Sequence, residues 1–207
     1  LSYTRADPPL GFVLMGDSTT NHDPTLVLGW GGGFCDALQS TPVYACVNAA
    51  QNGATAAAYV NSGKLDAALA SARTLVGAGR RTYVTISFGI NDSKTSTLAV
   101  YASALKTMIA AVRAIKAEPI LMKVVGESTH TNVVDLTGHS AWYISEIGQT
   151  AAWRLNSLPA DQTHLNAKGS TLFGRMVGLF MKQFLTALPL VQNAALDTAL
   201  LNGVAFY

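Results

Sequence analysis

A three-layer α/β domain built on a mostly parallel sheet is what this 207-residue sequence predicts. Short apolar, β-branched runs alternate along the chain with longer Ala- and Leu-rich segments, the pattern of a βαβ series. Hydrophobic residues make up 49% and charged residues only 13%, which suits one full core and excludes a disordered or highly charged chain. No linker, internal repeat or shift in composition divides the sequence, so residues 1–207 read as a single domain of ordinary size.

The strands are residues 11–15 (GFVLM), 43–47 (VYACV), 82–88 (TYVTISF) and 119–125 (PILMKVV). Each is short and nearly continuous in apolar character, as strands covered on both faces are. Between them, residues 54–74 place Leu65, Leu69 and Ala72 on one helical face. Residues 96–117 repeat Leu98, Tyr101, Leu105, Met108, Ile109 and Val112 at helical spacing, and Pro119 ends that helix. Residues 139–156 and 167–187 give two more helices, the last weakened by three internal glycines. The apolar tail from Pro189 onward is expected to pack on the body.

Several function classes fall away on composition. No stretch supplies the ~18 uninterrupted apolar residues that a membrane span requires. The net charge of +2 comes from scattered Lys and Arg without a basic stripe, so nucleic acid is not an expected partner. Cys35 and Cys46 suit one disulfide in an exported protein as well as two buried thiols in a cytosolic one, and we favour the disulfide. They form no CxxC and stand among no clustered histidines, so no metal site is expected. The GWGGG run at residues 29–33 has the wrong spacing for a dinucleotide loop, and there is no Walker loop and no HExxH. Leu1, with no signal peptide before it, reads as a processed mature form or a trimmed chain.

In parallel sheets ligands bind at the carboxyl ends of the strands, and the strand exits are distinctive. Gly16-Asp17-Ser18 follows the first run, Asn48 to Gly53 (NAAQNG) the second, and Gly89-Ile90-Asn91-Asp92 the third. Any one of these is an ordinary turn former; three on consecutive strands suggest a site. Near the C-terminus, Asp161 and His164 lie three apart in ADQTHLNAKG. A serine hydrolase needs a base for the hydroxyl proton and a carboxylate to orient it, and this pair can supply both. His22 and His139 lack a partner at that spacing, as does His130, which follows a strand and stands as a reserve candidate. The GxSxG elbow of ordinary α/β-hydrolases is absent. Ser18 is expected at a helix start, where free N–H groups favour developing negative charge.

Taken in order, Gly16-Asp17-Ser18-Thr19, Gly53, Gly89-Ile90-Asn91-Asp92 and Asp161-Gln162-Thr163-His164 resemble the four blocks of the SGNH (GDSL) hydrolase superfamily, over residues 11 to about 180. Within it the chain is most similar to the rhamnogalacturonan acetylesterase group. GDSTT followed by GWG at residues 29–31, Asn48 with Gly53, and Tyr59 with Gly63 resemble that group's first two blocks in spacing. The resemblance implies a flavodoxin-like sheet and a serine esterase that needs no cofactor. Ser18 is then the nucleophile, His164 the base and Asp161 its orienter. The Ser18 N–H, the Gly53 N–H and the Asn91 amide are the oxyanion donors.

Two departures narrow the substrate. Ala54 and Ala57 stand where that group tends to carry arginines, and Ile90 where histidine is frequent. An acidic pectic backbone would benefit from such cations, so the expected substrate is a neutral acetylated sugar or a small acyl ester. Trp30, beside the glycine-rich run, is the candidate substrate wall, whereas Trp142 and Trp153 are expected to pack in the core. The expectation is a secreted esterase that removes acetyl or similar short acyl groups, on a carbohydrate. A lipase, thioesterase or lysophospholipase on the same scaffold is the near alternative, and a non-catalytic α/β binding domain the alternative from another class.

Overall fold

The computed structural model describes residues 7–23, 27–38, 44–122 and 131–206. The first half runs β1 (Leu10–Gly16), β2 (His22–Asp23), β3 (Val27–Leu28), α1 (Trp30–Ala37), β4 (Ala45–Asn48), α2 (Ala56–Asn61), α3 (Lys64–Gly77) and β5 (Arg81–Ser87). The second half runs α4 (Asp92–Thr95), α5 (Leu98–Ala114), β6 (Glu118–Met122), β7 (Asn132–Val134), α6 (Leu136–Ile147), α7 (Gln149–Trp153), α8 (Ala167–Met181) and α9 (Ala194–Leu201).

Five of these strands form one parallel sheet in the order β4-β1-β5-β6-β7, and β2 and β3 make a small antiparallel ribbon. Every residue of β1 is buried. Its alternate side chains divide the interior into two cores: Phe12 and Leu14 point to the layer that holds α1, α6, α8 and α9, and Val13 and Met15 to the layer of α2, α3 and α5. The three-layer α/β reading is borne out. The chain leaves β1 towards β4 on one side and returns to β5 on the other, so the order in which strands are added reverses between β1 and β5, where parallel sheets open a crevice.

The element boundaries differ in instructive ways. Residue 43 and residues 123–125 of the expected strands lie outside the described residues, and β4 extends to Asn48. The helix expected over 54–74 is two helices, because Gly63 adopts φ +77° and α3 starts afresh after it. Thr55 caps α2 by accepting from the Ala58 N–H. Pro119 does not end α5; it lies in β6. The helix stops where Lys116 turns left-handed at φ 61° and the Ala117 N–H reaches back to the Val112 carbonyl. The span 139–156 begins earlier, at Leu136, with Asp135 as cap, and is interrupted at Gly148.

The glycine-rich run at residues 29–33 forms the start of α1, with Gly29 at its cap. A Cβ on Gly33 would meet the Ser170 carbonyl, and one on Gly174 the backbone of Gly33 and Phe34. Gly33 and Gly174 are therefore where α1 and α8 touch backbone to backbone, a close contact rather than a weakness. The tail packs as expected: Leu196 and Leu200 join the core, and Arg175 holds Asp197 at 2.6 Å. Cys35 and Cys46 are joined, tying α1 to β4. Among the described residues, no helix is long and apolar enough to cross a membrane.

Candidate active site

Ser18 sits just beyond β1, on a tight turn. Asp17 shapes that turn: one carboxylate oxygen accepts from the Thr19 N–H at 2.9 Å and the Thr19 hydroxyl at 2.7 Å. The Thr20 and Asn21 N–H groups close onto the Asp17 carbonyl. Burial pushes the Asp17 carboxyl up, and the Thr19 bonds pull against it. A Cβ on Gly16 would strike the Thr20 side chain and the Ser87 carbonyl, so the turn needs glycine there. No helix begins at Ser18, contrary to expectation. The carbonyls of Thr19 and Thr20 instead accept from the Trp30 and Gly31 N–H groups, so the Ser18 turn caps α1.

His164 comes from the loop before α8. Its Nε2 lies 2.9 Å from Ser18 Oγ, and its Nδ1 lies 2.8 Å from Asp161 Oδ2. Asp161 is fully engaged. Its Oδ1 accepts from the Thr163 and His164 N–H groups at 2.8 and 3.0 Å, and its Oδ2 also accepts from the Ser157 hydroxyl at 2.7 Å. Desolvation raises this carboxyl, but these bonds to its ionised form outweigh that and hold it well below the usual carboxylate range. Asn166 then caps α8 by accepting from the Gly169 N–H, and its amide donates to the Arg154 and Asn156 carbonyls, locking the loop. Sequence reasoning missed Ser157, because a serine four residues before Asp161 acquires meaning only once the loop closes.

The remaining expected residues converge on the same sheet edge. The Ala49 and Gln51 N–H groups donate to the Leu14 and Gly16 carbonyls, laying the segment after β4 along the end of β1. Gly53 follows at φ +71°, and a Cβ there would meet nothing. Glycine is thus required by backbone conformation and not by close approach of other protein atoms. Asn91 follows β5, and its amide donates to the Ala54 carbonyl at 3.1 Å.

Beside Ser18 and His164 opens a cavity of about 710 Å³, flanked by their immediate neighbours Thr19 and Thr163. Its lining is mainly apolar and includes Trp30, Ile90, Met122, Ile144, Trp153 and Phe173. Trp30 does face this space, but at 2% exposure, packed edge-on against Phe34, it is part of the core. Trp142 and Trp153, expected inside, are 43% and 53% exposed, and Trp153 stands on the cavity rim. His130 lies outside the described residues. Among the described residues, no three His, Cys, Asp or Glu side chains are grouped so that they could hold a metal ion.

A parallel sheet in this order between two helical layers is a three-layer α/β fold, and Ser18, His164 and Asp161 are joined by hydrogen bonds at its carboxyl edge. No family model and no curated protein matches the sequence, whereas solved structures do. The Bacillus subtilis protein YxiM is similar at 21% identity and TM-score 0.72, over 88% of this chain and 58% of that one. The chain therefore spans less than two thirds of that protein's length. A lipase/acylhydrolase from Enterococcus faecalis is similar at 18% identity and TM-score 0.53, over 89% of this chain and 100% of that one. A variant of Axe2, an acetyl-xylooligosaccharide esterase from Geobacillus, gives 16% identity and TM-score 0.57, over 82% and 92%. At such identities the likeness is one of fold, and the narrower resemblance to rhamnogalacturonan acetylesterases rests on the sequence blocks alone.

Proposed function

We propose that the protein is a serine ester hydrolase working through an acyl-enzyme on Ser18. The observation that carries this reading is the continuous relay from Ser18 Oγ to His164 at 2.9 Å and on to Asp161 at 2.8 Å. With its Nδ1 proton donated to Asp161, His164 presents a free Nε2 lone pair to the Ser18 hydroxyl. Ser18 Oγ attacks the ester carbonyl as Nε2 takes its proton, and the ionised Asp161 stabilises the imidazolium. The tetrahedral oxyanion is met by the Ser18 N–H, the Gly53 N–H and the Asn91 amide, one hydrogen of which is already used on Ala54. Collapse breaks the bond to the alcohol, which leaves with the His164 proton, and water repeats the sequence to free the acid.

For the substrate, a short acyl group on a neutral carbohydrate accords with the missing cations near Gly53 and Ile90, and Axe2 is an esterase of that kind. One observation favours a second reading: the apolar cavity flanked by Thr19 and Thr163 can take a longer acyl chain or apolar alcohol, as a lipase/acylhydrolase would. Export is part of the proposal, and the Cys35–Cys46 disulfide supports it.

An organophosphonate should label Ser18 once, and Ser18→Ala or His164→Ala should abolish both labelling and esterase activity. No labelling, with no activity at any acyl length, would instead favour a binding domain. On p-nitrophenyl esters of increasing length, kcat/KM falling beyond acetate supports the acetylesterase and a rise towards long chains supports the lipolytic reading.

A further inference from the structure

We propose that Asp92 is a positioning residue for the oxyanion donors, a buried carboxylate that clasps the segment after β4 to the turn after β5. The inference rests on the esterase reading above and adds to it a residue that never touches substrate.

The two donors outside the Ser18 turn belong to segments that the sheet does not connect. β4 and β5 each pair with β1, which lies between them, so no ladder bond sets the distance from Gly53 to Asn91. What bridges them is a pair of adjacent side chains. Asn91 donates to the Ala54 carbonyl at 3.1 Å, and both oxygens of Asp92 accept from the Ala56 N–H, at 3.0 and 3.2 Å. These contacts grip the two residues that flank Thr55, immediately after Gly53. Asp92 is 3% exposed and Ala56 is fully buried.

A buried carboxylate is costly unless its acceptors are used. Burial raises the Asp92 carboxyl, and the Ala56 N–H pulls it back. An apolar residue would fill this place at less cost, but it would leave the Ala56 N–H without this partner and Asn91 as the one remaining side-chain clasp between the turn after β5 and the residues that follow Gly53. The clasp also uses one hydrogen of the Asn91 amide at a fixed place, so the second can only point in one direction. That is the preorganisation an oxyanion site requires.

The test compares Asp92→Ala, Asp92→Asn and Ala56→Pro, with p-nitrophenyl acetate as probe and kcat expressed per phosphonate-labelled Ser18. Asp92→Ala should lose about 10²-fold in kcat, the scale of a small misplacement of reacting groups, with KM little changed. Asp92→Asn keeps one acceptor for Ala56 and should recover most of the loss. Ala56→Pro cuts the same bond from the other side at a first helical position that suits proline, after an extended Thr55, and so keeps the experiment decisive if Asp92→Ala does not fold. In an Asn91→Ala background the Asp92 substitution should cost less than it does alone.

Undiminished kcat per labelled site in Asp92→Ala or Ala56→Pro overturns the proposal, as does a fully multiplicative double variant, even if the melting temperature falls. Failure to label Ser18 in the unaltered protein overturns this inference together with the esterase reading. Normal labelling with unchanged kcat overturns Asp92 alone.

Discussion

Asp161 divides two tasks between its two oxygens. Oδ1 holds the backbone of its own loop through the Thr163 and His164 N–H groups, while Oδ2 faces His164 Nδ1 and the Ser157 hydroxyl. In Asp161→Asn the amide oxygen can take the Oδ1 place and keep the loop, but an N–H then confronts Nδ1 and forces the wrong tautomer. We expect kcat to fall about 10⁴-fold with little change in melting temperature; a fall of less than tenfold counts against the orienting role. The same carboxyl titrates lower in the folded chain than in the unfolded one, so it adds stability at neutral pH that is lost as the pH drops below about 4. Asp17 and Asp92 are raised, so the stability linked to them is present in acid and lost as they ionise on rising pH. Ser18, Asp161 and His164 were legible only together: Gly-Asp-Ser after a strand and a local Asp-x-x-His are each ordinary turns alone, and it is their order along an α/β pattern that marks them. Ser157 was not, and Trp30 was legible only as a neighbour of the site, since its exposure is decided by packing.

At the level of elements, what the sequence made hardest to see was the value of glycine inside helices. By propensity α1 and α8 are poor helices; by packing they are matched surfaces whose backbones nearly touch. Gly174 faces Phe34 and Gly33 of α1, while Gly169 and Gly178 let α8 close onto the Leu155 carbonyl and Leu190 elsewhere in the chain. Gly174→Ala improves the local propensity of α8 yet should destabilise the protein by about 1–3 kcal/mol through overpacking, read as a shift in urea midpoint. A stabilised variant would mean that the helices are not in close contact. The buried strands were legible for the opposite reason: continuous apolar runs leave no other place for them. β7, three residues long and half exposed, carries no such run.

For the molecule as a whole, the alternation of runs and helices was enough to read the layers, but not the strand order, because neither neighbour of a strand covered on both faces leaves a mark in its sequence. The disulfide closes a short loop between α1 and β4, with a sequence separation of 11. Reducing it should lower stability by about 3 kcal/mol, seen as a lower melting temperature in dithiothreitol; an unchanged transition would show that packing alone holds these elements. The relay spans far more chain, since Ser18 and His164 are 146 residues apart. A contact of that range forms only after the intervening sheet has been assembled. On the proposed reading, ester cleavage reports completion of this fold: a growing chain carries Ser18 just beyond the first strand of the sheet, but stays chemically silent until the loop that bears His164 has been made and docked.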